Sequence, residues 1–412
     1  MSSIFRPTGS SHILRNAEEV RQHLLNKVND GQKGLVGTEL ELFLTEKNGL
    51  PLSFARIEAL MERLAARFEG TEKRKEKGRI IGLHLPDVGD ICLEPGGQIE
   101  LSTKPCRDLV ELRNTNEIMR HALTATAAAM DVTVTGQGHM SAFLQAPDMP
   151  RSRFAAYYAY CRNQHGAPAE DLIGTMKSVS GLQINVDPMG DDFHEIYRAL
   201  MIVELAQSFS DVSVRQKRLQ ETYANLFPLQ VTPLFNALSS RNNEDVMDKI
   251  VTRLLQLKVP FVPDLSSAEG FKSTLEIFGH APSLNELMQK GMLSVEILDN
   301  SLSLQMTMPN LRRHGVVETR APDSVNTTEE LMQKATLYHR YAYDPQARRD
   351  LLQRFSGLDE KLLERAYLSR FSFKAEALDR LDLGGGLTVA DLKSVVTAVK
   401  QPAPVAKKAP GI

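Results

Sequence analysis

Alternation of polar and apolar residues at the centre of the segment 37–43 is the feature that most constrains the fold of this chain. Within it, Glu39 and Glu41 alternate with Leu40 and Leu42. A period of two places successive side chains on opposite faces of a β-strand. The segment therefore predicts a strand that carries two carboxylates on one face and leucines on the face that packs against a core.

Three more segments share this arrangement. Their polar members are Glu94, Gln98 and Glu100 around the Pro-Gly-Gly turn at 95–97, then Gln183, Asn185 and Asp187, and finally Glu318 and Arg320. Exposure to solvent explains any one such strand, because antiparallel sheets often have one wet face. Four together weaken that explanation, since carboxylates that lie side by side repel unless a positive charge separates them.

Helical periodicity accounts for most of the remaining chain. The predicted helices run from near Asn16 to near Gly31, begin at Ser53, cover about 108–130, dominate 195–300, and resume from Thr328 and from Thr388. The charged run 71–79 predicts an exposed hairpin or loop. Three consecutive glycines at 384–386 predict a flexible connector.

Composition argues against several classes of protein. Lys and Arg total 49 against 51 Asp and Glu, so the chain has no basic field for nucleic acid. The cysteines Cys92, Cys106 and Cys161 lack C-x-x-C spacing, which favours a reducing cytoplasm over a disulfide framework or a zinc site. No apolar run reaches the roughly 18 residues of a membrane span. The stretch 401–412 has the composition of a disordered tail.

The polar residue types point to hard metal ions. Glu, with Gln and Asn nearby and without Cys or paired His, supplies oxygen ligands that suit Mg²⁺ or Mn²⁺ rather than zinc. Magnesium in enzymes is commonly held by a few carboxylates together with substrate phosphates. The acidic face therefore suggests a nucleotide bound through its metal ions. Neither of the common phosphate-binding motifs, G-x-x-x-x-G-K-[ST] and G-x-G-x-x-G after a strand, occurs in the sequence.

At these same residues the chain resembles the glutamate-cysteine ligases of the plant and proteobacterial type, within the glutamine-synthetase-like superfamily. LEPGGQIELS at 93–102 matches the family's signature almost letter for letter, and GTELELF at 37–43, QINVD at 183–187 and ETRAPD at 318–323 are similar to its other strands. Order and spacing agree over about 15–330. The resemblance implies an α+β fold, with a bowl-shaped, mainly antiparallel sheet whose concave face holds ATP, metals and substrate, and helices packed outside.

The resemblance also implies roles for individual residues. Arg320 is expected to stabilise charge on the transferring phosphoryl group, as a fixed cation does in such transition states. The implied Mg²⁺ ligands are Glu39, Glu41, Glu94, Glu100, Gln183 and Glu318, and the implied ATP- or substrate-binding residues are Gln98, Arg153, Asn185 and Arg241. Arg241 stands where the family has a Ser-x-Arg-Ser segment, but the Trp that follows it there is missing, since this chain contains no Trp.

The implied activity joins the γ-carboxylate of glutamate to the amine of cysteine through a γ-glutamyl phosphate, with ATP as co-substrate. Two alternatives stay open: the same chemistry with a different amine or carboxylate, and an inactive binding protein on the same scaffold. The expected partners are small molecules, with no nucleic acid and no membrane, in a monomer or homodimer. Residues 1–330 are expected to form the catalytic domain, and 331–400 a helical region of the same domain.

Overall fold

The protein is described by a computed structural model that covers residues 12–30, 34–188, 190–210, 213–224, 226–263, 271–304, 306 and 309–397. The expected disordered tail at 401–412 lies outside these residues. The strands are β1 Val36–Thr45, β2 Glu72–Glu76, β3 Arg79–Leu85, β4 Gly89–Leu93, β5 Ile99–Thr103, β6 Thr133–Thr135, β7 Leu182–Val186, β8 Phe261–Pro263, β9 Phe271–Ser273, β10 Asn310–Leu311, β11 Val317–Thr319, β12 Asp382–Gly384 and β13 Leu387–Thr388.

The α-helices account for most of the other described residues. They are α1 Ala17–Asp30, α2 Phe54–Ala65, α3 Leu109–Ala128, α4 Ser152–His165, α5 Pro168–Ser178, α6 Phe193–Ser210, α7 Val214–Tyr223, α8 Pro228–Val231, α9 Asn243–Leu255, α10 Thr274–Phe278, α11 Leu284–Gln289, α12 Val295–Ser301, α13 Thr328–Tyr343, α14 Pro345–Arg354, α15 Glu360–Ser369, α16 Ala375–Asp379 and α17 Val389–Thr397. None of these helices is long and apolar enough to cross a bilayer.

One antiparallel sheet organises the molecule. Among the described residues its strands follow the order β10-β11-β7-β1-β5-β4-β3-β2, and β6 also pairs with β1. Every pairing in this sheet is antiparallel. The predicted α+β class with a mainly antiparallel sheet is therefore confirmed. The four strands with a polar face, β11, β7, β1 and β5, are immediate neighbours, which the sequence alone did not establish.

The apolar face of this sheet forms the core. Leu40, Leu101, Ile184 and Val317 are fully buried there. Helices α2, α3, α6 and α13 pack against this side of the sheet. Because alternate residues point in opposite directions along each strand, burial of one face leaves the polar set on the other. A single cluster of buried apolar residues extends from Leu14 to Val395.

Local signals in the sequence explain where several elements begin. The Ser53 side chain accepts a hydrogen bond from the Arg56 N–H, which caps α2 as expected for an N-terminal Ser. Thr388 and Asp391 bond reciprocally at the start of α17. Both predicted helix starts are confirmed, and so is the end of the first helix at Asp30.

The charged run at 71–79 forms the predicted exposed hairpin, built from β2 and β3. Its two turn residues, Lys77 and Gly78, have φ of 48° and 76°. Positive φ at both central residues is the mark of a tight hairpin turn whose twist matches that of its strands. The hairpin places β2 at one edge of the sheet.

Helices dominate the stretch 195–300, as expected, and the short pair β8–β9 also lies there, with three-residue strands that leave no periodic pattern to detect. One expectation about the second half of the chain was wrong. The glycines at 384–386 are not a flexible connector, since they form the turn between β12 and β13. A Cβ on Gly384 or Gly385 would lie within 2.8 Å of atoms of Asp359 and Gly357, so this turn requires glycine.

Candidate active site

The register of the sheet assembles the polar residues into one surface. Across β1 and β5, Glu41 lies opposite Glu100. Across β1 and β7, Glu39 lies opposite Gln183. Side chains opposite one another in an antiparallel pair are close neighbours on the same face. Like charges are therefore held side by side in the middle of the sheet, as the sequence predicted.

This polar face lines a cleft. Most of the predicted site residues meet there: Glu39, Glu41, Glu94, Glu100, Glu318, Arg153, Asn185 and Arg320. Apolar side chains from α4, from β8 and from the residues that follow α12 also line it, namely Phe154, Tyr157, Phe261, Leu302 and Leu304. A cleft lined by both charged and apolar side chains suits a ligand that has charged and apolar parts.

The carboxylates in the cleft repel one another. Burial, followed by the charge of Glu41, raises the pKa of Glu94 to about 7. Burial and the charges of Glu39, Glu94 and Glu41 raise the pKa of Glu100 well above its ordinary value. Each shift means that the ionised form of the group is unfavourable in this environment. A cation bound in the cleft would relieve that repulsion.

Two amide side chains beside these carboxylates hold acceptor oxygens without donors. Gln183 donates from Nε2 to Glu41 Oε1 at 2.9 Å, and Asn185 donates from Nδ2 to Glu39 Oε1 at 3.1 Å. The opposite atoms, Gln183 Oε1 and Asn185 Oδ1, are buried and have no hydrogen-bond partner among the described residues. Buried acceptors are normally satisfied. A metal ion is one chemical group that would satisfy them.

The oxygen atoms of these side chains are of the type that binds magnesium, but they do not form a complete set of ligands around one ion. Within the described part of the chain, no three Asp, Glu, His or Cys side chains are grouped so that they could hold one metal ion. The six implied ligands therefore do not converge as a closed site. Mg²⁺ usually takes only one or two protein carboxylates and completes its shell with water and substrate phosphates. An all-oxygen, half-open arrangement of this kind fits an ion that arrives with a nucleotide.

Glu318 differs from the other carboxylates because arginines already neutralise it. Arg312 donates from Nε to Glu318 Oε2 at 2.7 Å and from its Nη2 to the other oxygen. Arg320 Nη1 lies 3.1 Å from Glu318 Oε1. Both oxygens thus have cationic partners, which does not support the expected role of Glu318 as an open metal ligand. Sequence reasoning missed Arg312, although a hairpin through His314 and Gly315 would have placed it beside Glu318.

Two arginines near the start of α4 approach the cleft. Arg153, predicted from the sequence, lines it directly. Arg151, which sequence reasoning missed, donates to the Leu93 carbonyl at 2.8 Å and lies 4.0 Å from Glu94 Oε1. The positive charge near Glu94 therefore comes from both Arg151 and Arg153. In the sequence, the separation of these two arginines by a single residue was the one feature that could have indicated this.

Gln98 does not have the substrate-binding position expected for it. Its Nε2 donates to the carbonyls of Lys177 and Val179 at 2.9 and 2.8 Å, and its Oε1 accepts the Gly96 N–H at 2.8 Å. The side chain is almost fully buried and faces the loop rather than the cleft. Gln98 therefore fixes the Pro-Gly-Gly turn against the end of α5. That turn is tight, since a Cβ on Gly96 would lie 2.1 Å from the Lys177 carbonyl oxygen.

Arg241 is the second predicted binding residue that the structure moves away from the cleft. It is exposed, precedes α9, and its N–H donates to Asp245 at 3.0 Å. It is absent from the residues that line the cleft. The expectation rested on a short segment in a region where the chain departs from the family pattern, and the fold places that segment elsewhere.

Comparison with known proteins shows that part of the chain is similar to one family. Residues 35–206 match the model of glutamate-cysteine ligase family 2. Over 173 residues the chain is 31% identical to the chloroplastic glutamate–cysteine ligase of Brassica juncea and 33% identical to that of Arabidopsis thaliana. Each match covers 41% of this chain and 32% of the relative, so the chain matches about a third of the length of those proteins.

A solved structure covers more of the chain at much lower similarity. A bifunctional glutathione synthetase from Pasteurella multocida aligns with 95% of this chain and 52% of its own, at 15% identity and a TM-score of 0.31. A TM-score this low does not show a common fold. The resemblance seen in the sequence motifs is confirmed over residues 35–206, which contain β1, β4, β5 and β7, whereas the motif at 318–323 lies beyond the match.

Proposed function

We propose, with the match of residues 35–206 to glutamate-cysteine ligase family 2 as the premise, that the protein is an ATP- and Mg²⁺-dependent ligase. It joins the γ-carboxylate of glutamate to the amine of cysteine and gives γ-glutamylcysteine, the first step of glutathione synthesis. The observation that supports this best is the acidic face of four adjacent strands, which opens into a cleft that also contains Arg153 and Arg320.

The roles of the residues follow from their positions. Glu39, Glu41, Glu94 and Glu100, with the free oxygens of Gln183 and Asn185, would hold Mg²⁺ together with the phosphates of ATP. Bound there, the ion neutralises phosphate charge and orients the terminal phosphoryl group. Preorganised positive charge stabilises such transfers most when it is fixed where charge develops. Arg320 is suited to this because its guanidinium is already anchored by Glu318.

The proposed reaction has two chemical steps. A γ-carboxylate oxygen of glutamate attacks the γ-phosphorus of ATP, the bond to the bridging oxygen breaks, and ADP leaves with that electron pair. The amine then attacks the acyl carbon, phosphate departs, and the amine nitrogen loses a proton. Much of the rate enhancement would come from binding both substrates next to each other in one cleft, because they then no longer have to meet in solution.

A second candidate uses the same chemistry with a different amine or carboxylate. The match to the family ends at residue 206, so Phe154 and Tyr157 of the cleft lie within it, whereas Phe261, Leu302 and Leu304 lie beyond it. Part of the apolar lining that would select the amino acid is thus outside the matched segment. An inactive binding protein on this scaffold is the remaining alternative.

Release of ADP distinguishes these functions. The purified protein is incubated with MgATP and glutamate alone, then with each amino acid in turn, and products are identified by mass spectrometry. Glutamate with cysteine should give a dipeptide linked through the γ-carboxyl group. If product forms only with another amine, that amine and not cysteine is the acceptor. If no amino acid pair releases ADP above background, the protein is not a ligase of this kind.

The proposed setting is the cytoplasm, with the chain as monomer or homodimer. All three cysteines are free thiols buried in the fold, as in a reducing compartment. The relatives named above are chloroplastic proteins.

A further inference from the structure

A buried carboxylate lies directly behind the strand end that carries Arg320. Glu204, in the middle of α6, is completely buried. Its Oε2 accepts the N–H groups of Arg320 and Ala321 at 2.8 and 2.9 Å, and its Oε1 accepts the Tyr338 hydroxyl at 2.5 Å. One side chain thus holds two consecutive backbone amides and is itself held by a residue of α13.

These two amides need a partner because the pairing of strands is interrupted at them. The regular ladder between β7 and β11 has its last pair at Thr319 and Ile184, and pairing resumes only at the bridge between Gly181 and Asp323. Between these two pairs, the N–H groups at 320 and 321 point toward α6 instead of a strand. From the opposite direction, Arg215 donates to the Arg320 carbonyl at 2.7 Å. The backbone that carries the Arg320 side chain is therefore fixed on both of its peptide groups.

Glu204 is a costly residue for the core. Burial raises its pKa to about 7, although its three hydrogen bonds act in the other direction. The positive charge of Arg215 also lowers this pKa, but burial outweighs it. Its neighbours along α6, such as Val203 and Leu205, are buried apolar side chains. An apolar residue of similar size at such a position would commonly leave the protein as stable. We therefore look for the role of Glu204 in the backbone amides of Arg320 and Ala321 that it binds.

We propose that Glu204 is a positioning residue for the ligation proposed above, and that it acts by fixing the backbone at 320 and 321 so that the Arg320 guanidinium stays aimed into the cleft. This inference rests on the proposed function. Glu204 itself does not line the cleft, so it contacts no substrate and works only through Arg320. A displacement of about 1 Å at a reacting centre typically costs about 10²-fold in rate.

The decisive variant is Glu204→Gln, which keeps the shape but gives the side chain one acceptor oxygen and adds an amide that donates. We expect kcat to fall about 10- to 100-fold while the KM for MgATP changes by less than about threefold. Amide exchange at 320 and 321, measured by hydrogen–deuterium exchange, should become faster. Ser208→Ala is the matched control, because it removes another buried hydrogen bond of α6, from Ser208 Oγ to the Glu204 carbonyl, without touching Arg320.

A double-mutant cycle separates positioning from general damage. In an Arg320→Ala background, Glu204→Gln should cost little further activity, because the group that it positions is already gone. Full additivity of the two losses, or an undiminished kcat in Glu204→Gln, would overturn the proposal. If Glu204→Gln does not fold, Tyr338→Phe removes one donor only and should give a smaller loss of kcat in the same direction, whereas unchanged kcat and exchange would contradict it.

Failure of the two proposals can be told apart. A wild-type protein that releases no ADP with any amino acid pair overturns the ligase and, with it, this role for Glu204. A wild-type protein that is active, alongside an equally active Glu204→Gln variant, overturns only the positioning role.

Discussion

Glu39 and Glu41 are two residues apart on β1, yet each has its own amide partner on β7. Asn185 donates to Glu39, while Gln183 and the Gly181 N–H donate to Glu41. These amide donors orient both carboxylates and add no charge. At Glu39, burial is outweighed by nearby positive charges that include Arg312 and Arg320, which lower the pKa to about 2. Neighbours that fix the direction of a carboxylate in this way are typical around a metal ligand.

Substitution of either residue tests the metal face. Glu39→Gln and Glu41→Gln should each sharply reduce ligase activity. Without ligands, Glu41→Gln should melt at the same or a higher temperature than the wild type, because repulsion of Glu94 and Glu100 by Glu41 is relieved. MgATP should then raise the melting temperature of the wild type more than that of either variant. Glu72→Gln, on the exposed face of β2, is the control. An unchanged MgATP shift in both variants would mean that these carboxylates do not bind the metal.

Arg320 is the residue that we expect to matter most for turnover relative to stability. Arg320→Ala should lower kcat by about 10²- to 10³-fold, as the loss of a preorganised charge donor does elsewhere. Arg312 remains paired with Glu318 in that variant, so the melting temperature should change little. Steady-state kinetics and thermal melts check this, and full activity would contradict the role.

At the scale of elements, the sequence predicted the strands well and their arrangement poorly. Alternation around Glu39 and Glu100 fixed both the strand type and the side that faces the core, because a period of two leaves one choice. Alternation does not report which strands are neighbours. The order β11-β7-β1-β5 arises from crossovers through helices, and Arg312 reaches Glu318 only because β10 pairs with β11.

The two failures in the candidate site have a common physical cause. Gln98 obeys the alternation, but its hydrogen bonds are used by the carbonyls of α5 and the following residue, a contact between segments 79 residues apart or more. Arg241 was located by a short motif in a region without alternation or strong periodicity. Side-chain types and spacing predict which face a residue lies on, whereas its partners depend on distant parts of the chain.

The turn between β4 and β5 gives a test at this scale. Gly96→Ala should destabilise the protein, by about 1–3 kcal/mol for overpacking, because the added Cβ meets the Lys177 carbonyl oxygen. Gly78→Ala is the comparison, since its Cβ would meet no atom within 4 Å and only its φ of 76° is unfavourable. Chemical denaturation should show the larger loss at Gly96, with loss of activity there alone. Equal losses would mean that the turn adapts.

At the scale of the whole molecule, the acidic cleft links stability to pH. The pKa of Glu94 is raised to about 7 in the folded protein, from an ordinary value of 4.5, and that of Glu100 is also raised. A carboxyl whose folded pKa is raised favours the folded state fully below the unfolded pKa, and this contribution is lost as the pH rises through the folded pKa. For Glu94 the loss therefore develops between about pH 4.5 and about pH 7.

Thermal melts of the ligand-free protein should follow this sign. Other groups being equal, the melting temperature should fall between pH 5.5 and pH 8, and the fall should be smaller in Glu94→Gln. Saturating MgATP should also reduce it, because bound Mg²⁺ favours the ionised carboxylates. A pH dependence identical in wild type and Glu94→Gln would contradict the coupling.

The two edges of the large sheet have a consequence for how copies of this chain meet. Exposed sheet edges invite strand addition from another molecule and lead to aggregation. One edge here is β10, only two residues long, and the other is β2, whose sequence is EKRKE. A strand from another molecule would have almost no backbone to pair with at β10 and would meet a row of charged side chains at β2. Both edges of the sheet therefore disfavour strand addition, and we expect association between copies of the chain to use other surfaces.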